Sequence, residues 1–202
     1  MSGDTDRSEF EIEQAVFTLL TAFYNMNPGN ELLGAVKRLE AVGQGADELS
    51  NYVSLIKNHA EGVVDEASML ELKRDWTKLF RGVSPDYGPI PPYEQLFSGG
   101  EIAETVGTLA NIYADYSFEV QNERHDYIGV EFAFLAHLAA LACKSCSEGE
   151  AASFERYSKE FYDFFNNHPK RWFSKFKQAA LPCASTDFYK GVLEFTELVL
   201  MN

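Results

Sequence analysis

The sequence lacks the signatures of most catalytic sites. It contains no G-x-S-x-G nucleophile motif, no phosphate-binding glycine loop, no G-x-G-x-x-G fingerprint and no H-E-x-x-H pair. Its carboxylates do not follow the D-D-x-x-D or E-x-x-H spacings with which helical bundles hold metal ions. We therefore predict that the protein is not an enzyme, and we assign it no catalytic residue, no metal and no cofactor.

Basic residues and long apolar runs are also scarce. The 17 Lys and Arg residues stand against 31 Asp and Glu, which gives a net charge of −14. Such a surface repels nucleic acids and anionic lipids and attracts basic partners. The longest apolar run, at 132–142, is shorter than the roughly 20 residues that cross a membrane, and no secretion leader opens the chain. We predict a cytoplasmic protein that neither binds nucleic acid nor inserts stably into membranes.

Cysteine is rare, and its three copies do not form the even set of a secreted disulfide framework. Cys143 and Cys146 have the C-x-x-C spacing that can share a metal ion or close a small disulfide. A structural zinc site needs two further ligands, and neither Cys183 nor His137 belongs to a second ligand pair. We interpret the two thiols as small residues at a helix end. A metal- or redox-responsive helical binding protein using Cys143 and Cys146 remains the alternative function.

What the sequence does contain is helical periodicity along almost its whole length, without a convincing period-two strand or an internal repeat. Local signals that predict helix boundaries are the S-x-x-E boxes at Ser8 and Ser147, capping Asp47 and Asp65, the glycine stop at 43–45 and Pro169 in a first turn. The run at 132–142 is apolar on nearly every side and predicts a buried central helix. We predict an all-α, single-domain bundle of eight to nine helices over residues 1–202, with 1–7 disordered.

The segment PIPPYEQLF at 89–97 interrupts this periodicity with three prolines. Pro91 and Pro92 favour an extended backbone, so Tyr93 and Glu94 can be presented with a small cost in conformational entropy. A rigid loop with an aromatic ring and a carboxylate suits the recognition of an extended, basic peptide. The alternative is a crossover loop that is pinned to the core.

Four segments, in their order and spacing, resemble the TorD/DmsD/NarJ family of cytoplasmic chaperones, the redox enzyme maturation proteins. They are LKRDWTKLFRG at 72–82, PIPPYEQLF at 89–97, RHDYIGVEFAFLAHL at 124–138 and NNHPKRWFSKF at 166–176. The resemblance implies a TorD-like helical fold. It also implies binding of the twin-arginine signal peptide, or the apo form, of a molybdenum-cofactor oxidoreductase of the DMSO/TMAO reductase type. Such a chaperone proofreads cofactor insertion before export, and it can be a monomer or a helix-swapped dimer.

The resemblance and the polar break ERHDY at 123–127 together indicate a peptide-binding site. The candidate residues are Trp76, Phe80, Pro91, Pro92, Tyr93, Glu94, His125, Asp126, Tyr127 and Glu131. Their carboxylates can pair with leader guanidinium groups in forked geometry, and their aromatic rings can line a groove for the leader's apolar stretch. Glu131 lies in the predicted buried helix, so a structural role is its alternative. Tyr127 stands where the family has histidine.

Overall fold

The protein is all-α in the computed structural model, which describes residues 2–39, 48–84 and 86–202. Those residues contain ten α-helices and no strand. The helices are α1 (Ser2–Asn25), α2 (Asn30–Lys37), α3 (Glu48–Gly62), α4 (Glu66–Phe80), α5 (Glu94–Ser98), α6 (Ile102–Asp115), α7 (Ile128–Glu148), α8 (Ala151–Asn167), α9 (Pro169–Ala180) and α10 (Asp187–Met201). The predicted fold class is confirmed, and the helix beyond the predicted number is the single turn α5.

Two of the predicted helix boundaries are confirmed. Asp65 caps α4, because its carboxylate accepts a hydrogen bond from the Ser68 backbone N–H at 2.8 Å. Pro169 is the first residue of α9, where its missing N–H costs no helical hydrogen bond. The predicted cap at Asp47 and the predicted stop at 43–45 lie outside the described residues.

Both predicted serine capping boxes are wrong. Ser8 lies inside α1, which begins at Ser2 and so includes residues 2–7, for which we expected disorder. An ion pair of 2.8 Å between Arg7 Nε and Glu11 Oε1 joins successive turns there. Ser147 lies inside α7, which ends where Gly149 adopts a left-handed φ of 74°. A glycine in this conformation is a stronger stop signal than a serine is a start signal.

The chain divides into two compact units. The first unit contains the chain up to Ala22 and Tyr93–Trp172, and the second contains Phe23–Pro92 and Phe173–Asn202. In the first unit α7 packs along α8, and aromatic rings fill the space between helices. Phe134, for example, lies 4.7 Å from both Tyr113 and Phe164 between ring centroids. Close aromatic packing of this kind explains why the sequence is rich in Phe and Tyr.

In the second unit α10 packs along α3, and Phe80 of α4 is fully buried against Tyr24 and Tyr189. Asp75 of α4 is buried as well. Its carboxylate accepts hydrogen bonds from the Ser185 N–H at 2.9 Å and from the Thr186 N–H at 2.8 Å. These bonds hold the turn that leads into α10, which gives the aspartate of segment 72–82 a structural role.

Helix α7 is the only helix in the described part of the chain that is long and apolar enough to cross a membrane by length and composition. Of its most apolar window, 61% is buried inside the protein, and its buried residues include Phe132, Leu135 and Leu138. Burial of this extent is typical of a core helix. The prediction of a buried central helix is thus confirmed.

Gly88, which immediately precedes the proline-rich segment, lies against the end of α4, and Pro91 of the segment lies against Gly82. Gly82 has a φ of 60°, and a Cβ atom there would lie 2.8 Å from Pro91 Cγ. At Gly88, a Cβ atom would lie only 2.2 Å from the backbone oxygen of Lys78. Both positions require glycine, because no side chain fits so close to a neighbouring backbone or ring. At Gly82, Gly88 and Pro91 the structure therefore favours the pinned loop, the alternative that the sequence left open.

Candidate functional site

The second part of the proline-rich segment pairs with the residues that precede α7. Tyr93 and Tyr127 form an isolated antiparallel bridge, and the Glu94 N–H donates to the Asp126 backbone oxygen at 2.8 Å. The two tyrosine rings lie 5.3 Å apart between centroids. This pairing joins Tyr93 and Glu94 to the HDY motif, more than 30 residues further along the chain, in one site of the first unit.

Asp126 is the anchor of this site. Its side chain is 0% exposed, and its two carboxylate oxygens accept from Arg124 Nε at 3.0 Å and Arg124 Nη2 at 2.8 Å. The Gln95 backbone N–H donates to the same carboxylate at 3.4 Å. Two parallel bonds from one guanidinium are the strongest pairing available to a carboxylate, so the buried charge of Asp126 is compensated.

Tyr93 supplies an aromatic face beside this ion pair. The Arg124 guanidinium carbon lies 4.4 Å from the centre of the Tyr93 ring, which is within cation–π distance. The Tyr93 hydroxyl donates to Glu123 Oε1 at 3.0 Å, and this bond fixes the ring. The carboxylate and the ring therefore form a cradle that is complementary to one guanidinium group.

Glu131 lies one turn into α7 and is 0% exposed. Its Oε2 atom accepts from Trp172 Nε1 at 3.2 Å, whereas its Oε1 atom has no hydrogen-bond partner among the described residues. Burial raises the pKa of Glu131 well above its usual value, and the nearby charges of Glu94 and Asp126 raise this pKa further. The raised pKa disfavours the ionised form, which suits a structural role better than a contact with a guanidinium.

Glu94 has a partner inside the protein as well. Its Oε2 atom lies 2.9 Å from His168 Nδ1, and the His168 ring stacks on Phe164 at 4.4 Å. On the next helix in the chain, the Tyr113 hydroxyl donates to the His125 backbone oxygen at 2.9 Å. Burial raises the pKa of Tyr113 well above its usual value, and the neighbouring carboxylates add to this effect. The polar groups of the site thus form a network that the protein largely satisfies by itself.

The structure brings six of the ten candidate residues together in the first unit. They are Tyr93, Glu94, His125, Asp126, Tyr127 and Glu131. Of these six, only Tyr93 and His125 are more than slightly exposed. A partner can therefore reach this site through the Tyr93 ring and the 123–125 segment, whereas its carboxylates lie beneath the surface.

The other four candidates lie in the second unit. Phe80 is fully buried, Trp76 is 8% exposed and Pro92 is buried, so only Pro91 is partly accessible. The Arg81 guanidinium carbon lies 5.5 Å from the centre of the Trp76 ring. In this conformation Phe80 is a core residue rather than the wall of a groove, because its ring is enclosed by other aromatic rings.

Reasoning from the sequence missed four residues of the site, namely Glu123, Arg124, His168 and Trp172. Arg124 and Glu123 belong to the same ERHDY break, and the presence of both charge signs within four residues was a signal that loop residues can pair locally. His168 and Trp172 belong to segment 166–176, which supported the family resemblance but was given no role. Only the fold shows that these two residues contact Glu94 and Glu131.

The C-x-x-C pair does not extend into a metal centre in the described residues. Cys143 and Cys146 are partly buried within the last turns of α7, and neither forms a disulfide. No group of three or more His, Cys, Asp or Glu side chains is arranged to hold a metal ion in the described ranges. The interpretation as small helix-end residues agrees with this position, and the metal- or redox-responsive alternative stays a prediction.

Comparison with protein-family models gives a match. The family model described as "Nitrate reductase delta subunit" matches residues 38–178, which include every residue of the site described above. No curated protein matches the chain.

Proposed function

Because the chain belongs to the nitrate reductase delta subunit family, a family of molybdoenzyme maturation chaperones, we propose that it is a cytoplasmic, non-catalytic chaperone of a molybdenum-cofactor oxidoreductase. In this proposal the protein binds the twin-arginine signal peptide, the apo form of its client, or both. It holds the client until the cofactor is inserted and then releases it for export.

The observation that carries the proposal is the cradle formed by Asp126 and Tyr93. A twin-arginine leader presents two guanidinium groups and then an apolar stretch. The cradle holds one guanidinium group of the protein's own chain in forked geometry on a carboxylate and beside an aromatic ring. The same chemistry would recognise an arginine of a leader, and the net charge of −14 would attract it.

Within this proposal the candidate residues have different roles. Tyr93 and the partly exposed residues of 123–125 would contact the leader directly. Asp126 would bind the guanidinium, whereas Glu94, Tyr127 and Glu131 would position these groups from below. Trp76, Pro91, Pro92 and Phe80 would support the proline-rich segment, since they are mostly buried in the second unit.

Co-expression with a nitrate-reductase-type catalytic subunit tests the proposal. The subunit is produced in cells that lack this chain, in cells that contain it, and in cells that contain Asp126→Asn. The matched control is Asp163→Asn, because Asp163 is an exposed residue of α8 that pairs with its helix neighbour Lys159.

We expect the molybdenum content and the activity of the subunit to rise with the wild type and with Asp163→Asn, and to rise less with Asp126→Asn. Equal molybdenum content with and without the chain would refute a role in maturation. Equal content with both variants would exclude Asp126 from that role.

A further inference from the structure

The contact between Arg124 and Asp126 is unusual because its two partners differ strongly in exposure. The side chain of Asp126 is 0% exposed, whereas that of Arg124 is 36% exposed. The arginine therefore covers a buried carboxylate from the solvent side. It belongs to the connection between α6 and α7, not to a helix.

The cradle beneath Arg124 is held by contacts that do not involve the arginine side chain. The Gln95 N–H donates to the Asp126 carboxylate, and the Glu94 N–H donates to the Asp126 backbone. Tyr93 is fixed by its hydroxyl bond to Glu123 and by its bridge to Tyr127. Removal of the Arg124 side chain should thus leave the carboxylate and the ring in place, with space between them.

The geometry of the cradle selects guanidinium over ammonium. The two carboxylate oxygens take two parallel N–H donors, and an aromatic face lies within cation–π distance. A planar fork satisfies all of these contacts at once, whereas the compact ammonium group of lysine can satisfy only some of them.

We propose that Arg124 is an internal occupant of a guanidinium-binding site, and that an arginine of a bound peptide competes with it for Asp126 and Tyr93. The second half of this inference rests on the proposed function. The site is available only when Arg124 has left it. The apparent affinity for the peptide is therefore the affinity of the open site multiplied by the fraction of molecules in which the site is open. The protein thereby binds only ligands whose arginines compete effectively, and it shields a buried carboxylate when no client is present.

Chemical rescue tests the first half without any leader peptide. Arg124→Ala is titrated with methylguanidinium up to about 10 mM, and the melting temperature is recorded. Methylammonium is the control ligand. Arg156→Ala is the control variant, because Arg156 lies 4.7 Å from the Tyr116 ring but donates to the backbone oxygen of Asp115 rather than to a carboxylate fork.

We expect Arg124→Ala to melt several degrees below the wild type and to recover part of that loss with methylguanidinium only. Arg156→Ala and the wild type should not respond. If Arg124→Ala does not fold, Arg124→Gln replaces it in the same titration. The absence of selective recovery, or equal recovery in the Arg156 variant, would overturn the assignment of a guanidinium site.

Leader titration tests the second half. If Arg124 competes with the leader, Arg124→Gln should bind a twin-arginine peptide about tenfold more tightly than the wild type does. The affinity for the same peptide with two lysines should not improve. Equal or weaker binding of the twin-arginine peptide by Arg124→Gln would overturn the competition.

The two titrations separate the inference from the proposed function. If neither protein binds any leader, the proposed function and the competition both fail, while methylguanidinium rescue still decides whether the guanidinium site exists.

Discussion

Among single residues, Glu131 has a strongly perturbed environment. Its carboxyl group is removed from water, lies near two other carboxylates and accepts one hydrogen bond, from Trp172, so its pKa is raised well above the usual value. Because the pKa of Glu131 is higher in the folded than in the unfolded state, folding favours proton uptake by this group above the ordinary pKa of glutamic acid.

The stabilising effect of the raised pKa should thus be complete below the unfolded pKa and should be lost as the pH rises through the folded one. We expect the free energy of unfolding of the wild type to fall as the pH rises above the ordinary pKa of glutamic acid. Glu131→Gln keeps a neutral acceptor for Trp172 and should show a smaller fall. Urea unfolding at a series of pH values measures this difference.

The control for this pH series is Glu155→Gln, since Glu155 is an exposed residue of α8. Its unfolding free energy should follow the wild-type pH dependence. Identical pH dependence of the wild type and Glu131→Gln would show that Glu131 is ionised in the folded protein.

The existence of the helices was easier to predict from the sequence than their boundaries were. Apolar periodicity predicted the existence of nearly every helix, because each helix must bury one stripe of its surface. Ser8 and Ser147 show why the boundaries were harder to predict. A serine followed by a glutamate three residues later also occurs inside helices, and only the neighbouring turns decide whether that serine caps a helix. The left-handed glycine at position 149 was the more reliable signal.

The close contact of Gly88 with the end of α4, just before the proline-rich segment, can be tested by substitution. Gly88→Ala should lower the free energy of unfolding by about 1–3 kcal/mol, because the new methyl group would overlap the backbone oxygen of Lys78. Gly107→Ala is the matched control in α6, where a Cβ atom meets nothing within 4 Å. This control should raise stability by about 0.5–1 kcal/mol through helix propensity. Both values come from thermal or urea unfolding.

If Gly88→Ala proved as stable as the wild type, the segment would not be pinned to α4 in solution. The interpretation of 89–97 as a freely presented loop would then regain support over its first residues.

The sequence indicated the family of the protein, whereas the structure was needed to show the side-chain contacts within the site. The ordered set of four segments indicated the family and most of the site, since a common order and spacing reflect a common fold. The contacts of Arg124, His168 and Trp172 could not be predicted, because side chains on separate elements meet only through tertiary packing. The same limit applies to the carboxylates Glu94, Asp126 and Glu131, which the sequence does not distinguish. Only the fold shows that Glu94 pairs with a histidine, that Asp126 accepts two bonds from one guanidinium group, and that burial raises the pKa of Glu131.

The net charge of −14 is a property of the protein as a whole. It creates a long-range attraction for basic ligands that increases the rate of encounter more than the strength of the final complex. Contacts in the cradle, by contrast, are short-range and partly desolvated, so added salt should screen them less. Varying the salt concentration and the peptide sequence together can therefore distinguish long-range electrostatic attraction from specific contacts in the cradle.

The most direct test of the proposed function is a calorimetric titration of the protein with a synthetic twin-arginine leader at low and at physiological salt. The same peptide with Lys-Lys in place of Arg-Arg is the control. We expect saturable binding of the twin-arginine peptide at both salt concentrations, and binding of the lysine peptide that is at least about tenfold weaker. Equal affinity for the two peptides, or binding of the twin-arginine peptide that disappears at physiological salt, would contradict specific recognition of the leader and leave only non-specific attraction to a basic peptide.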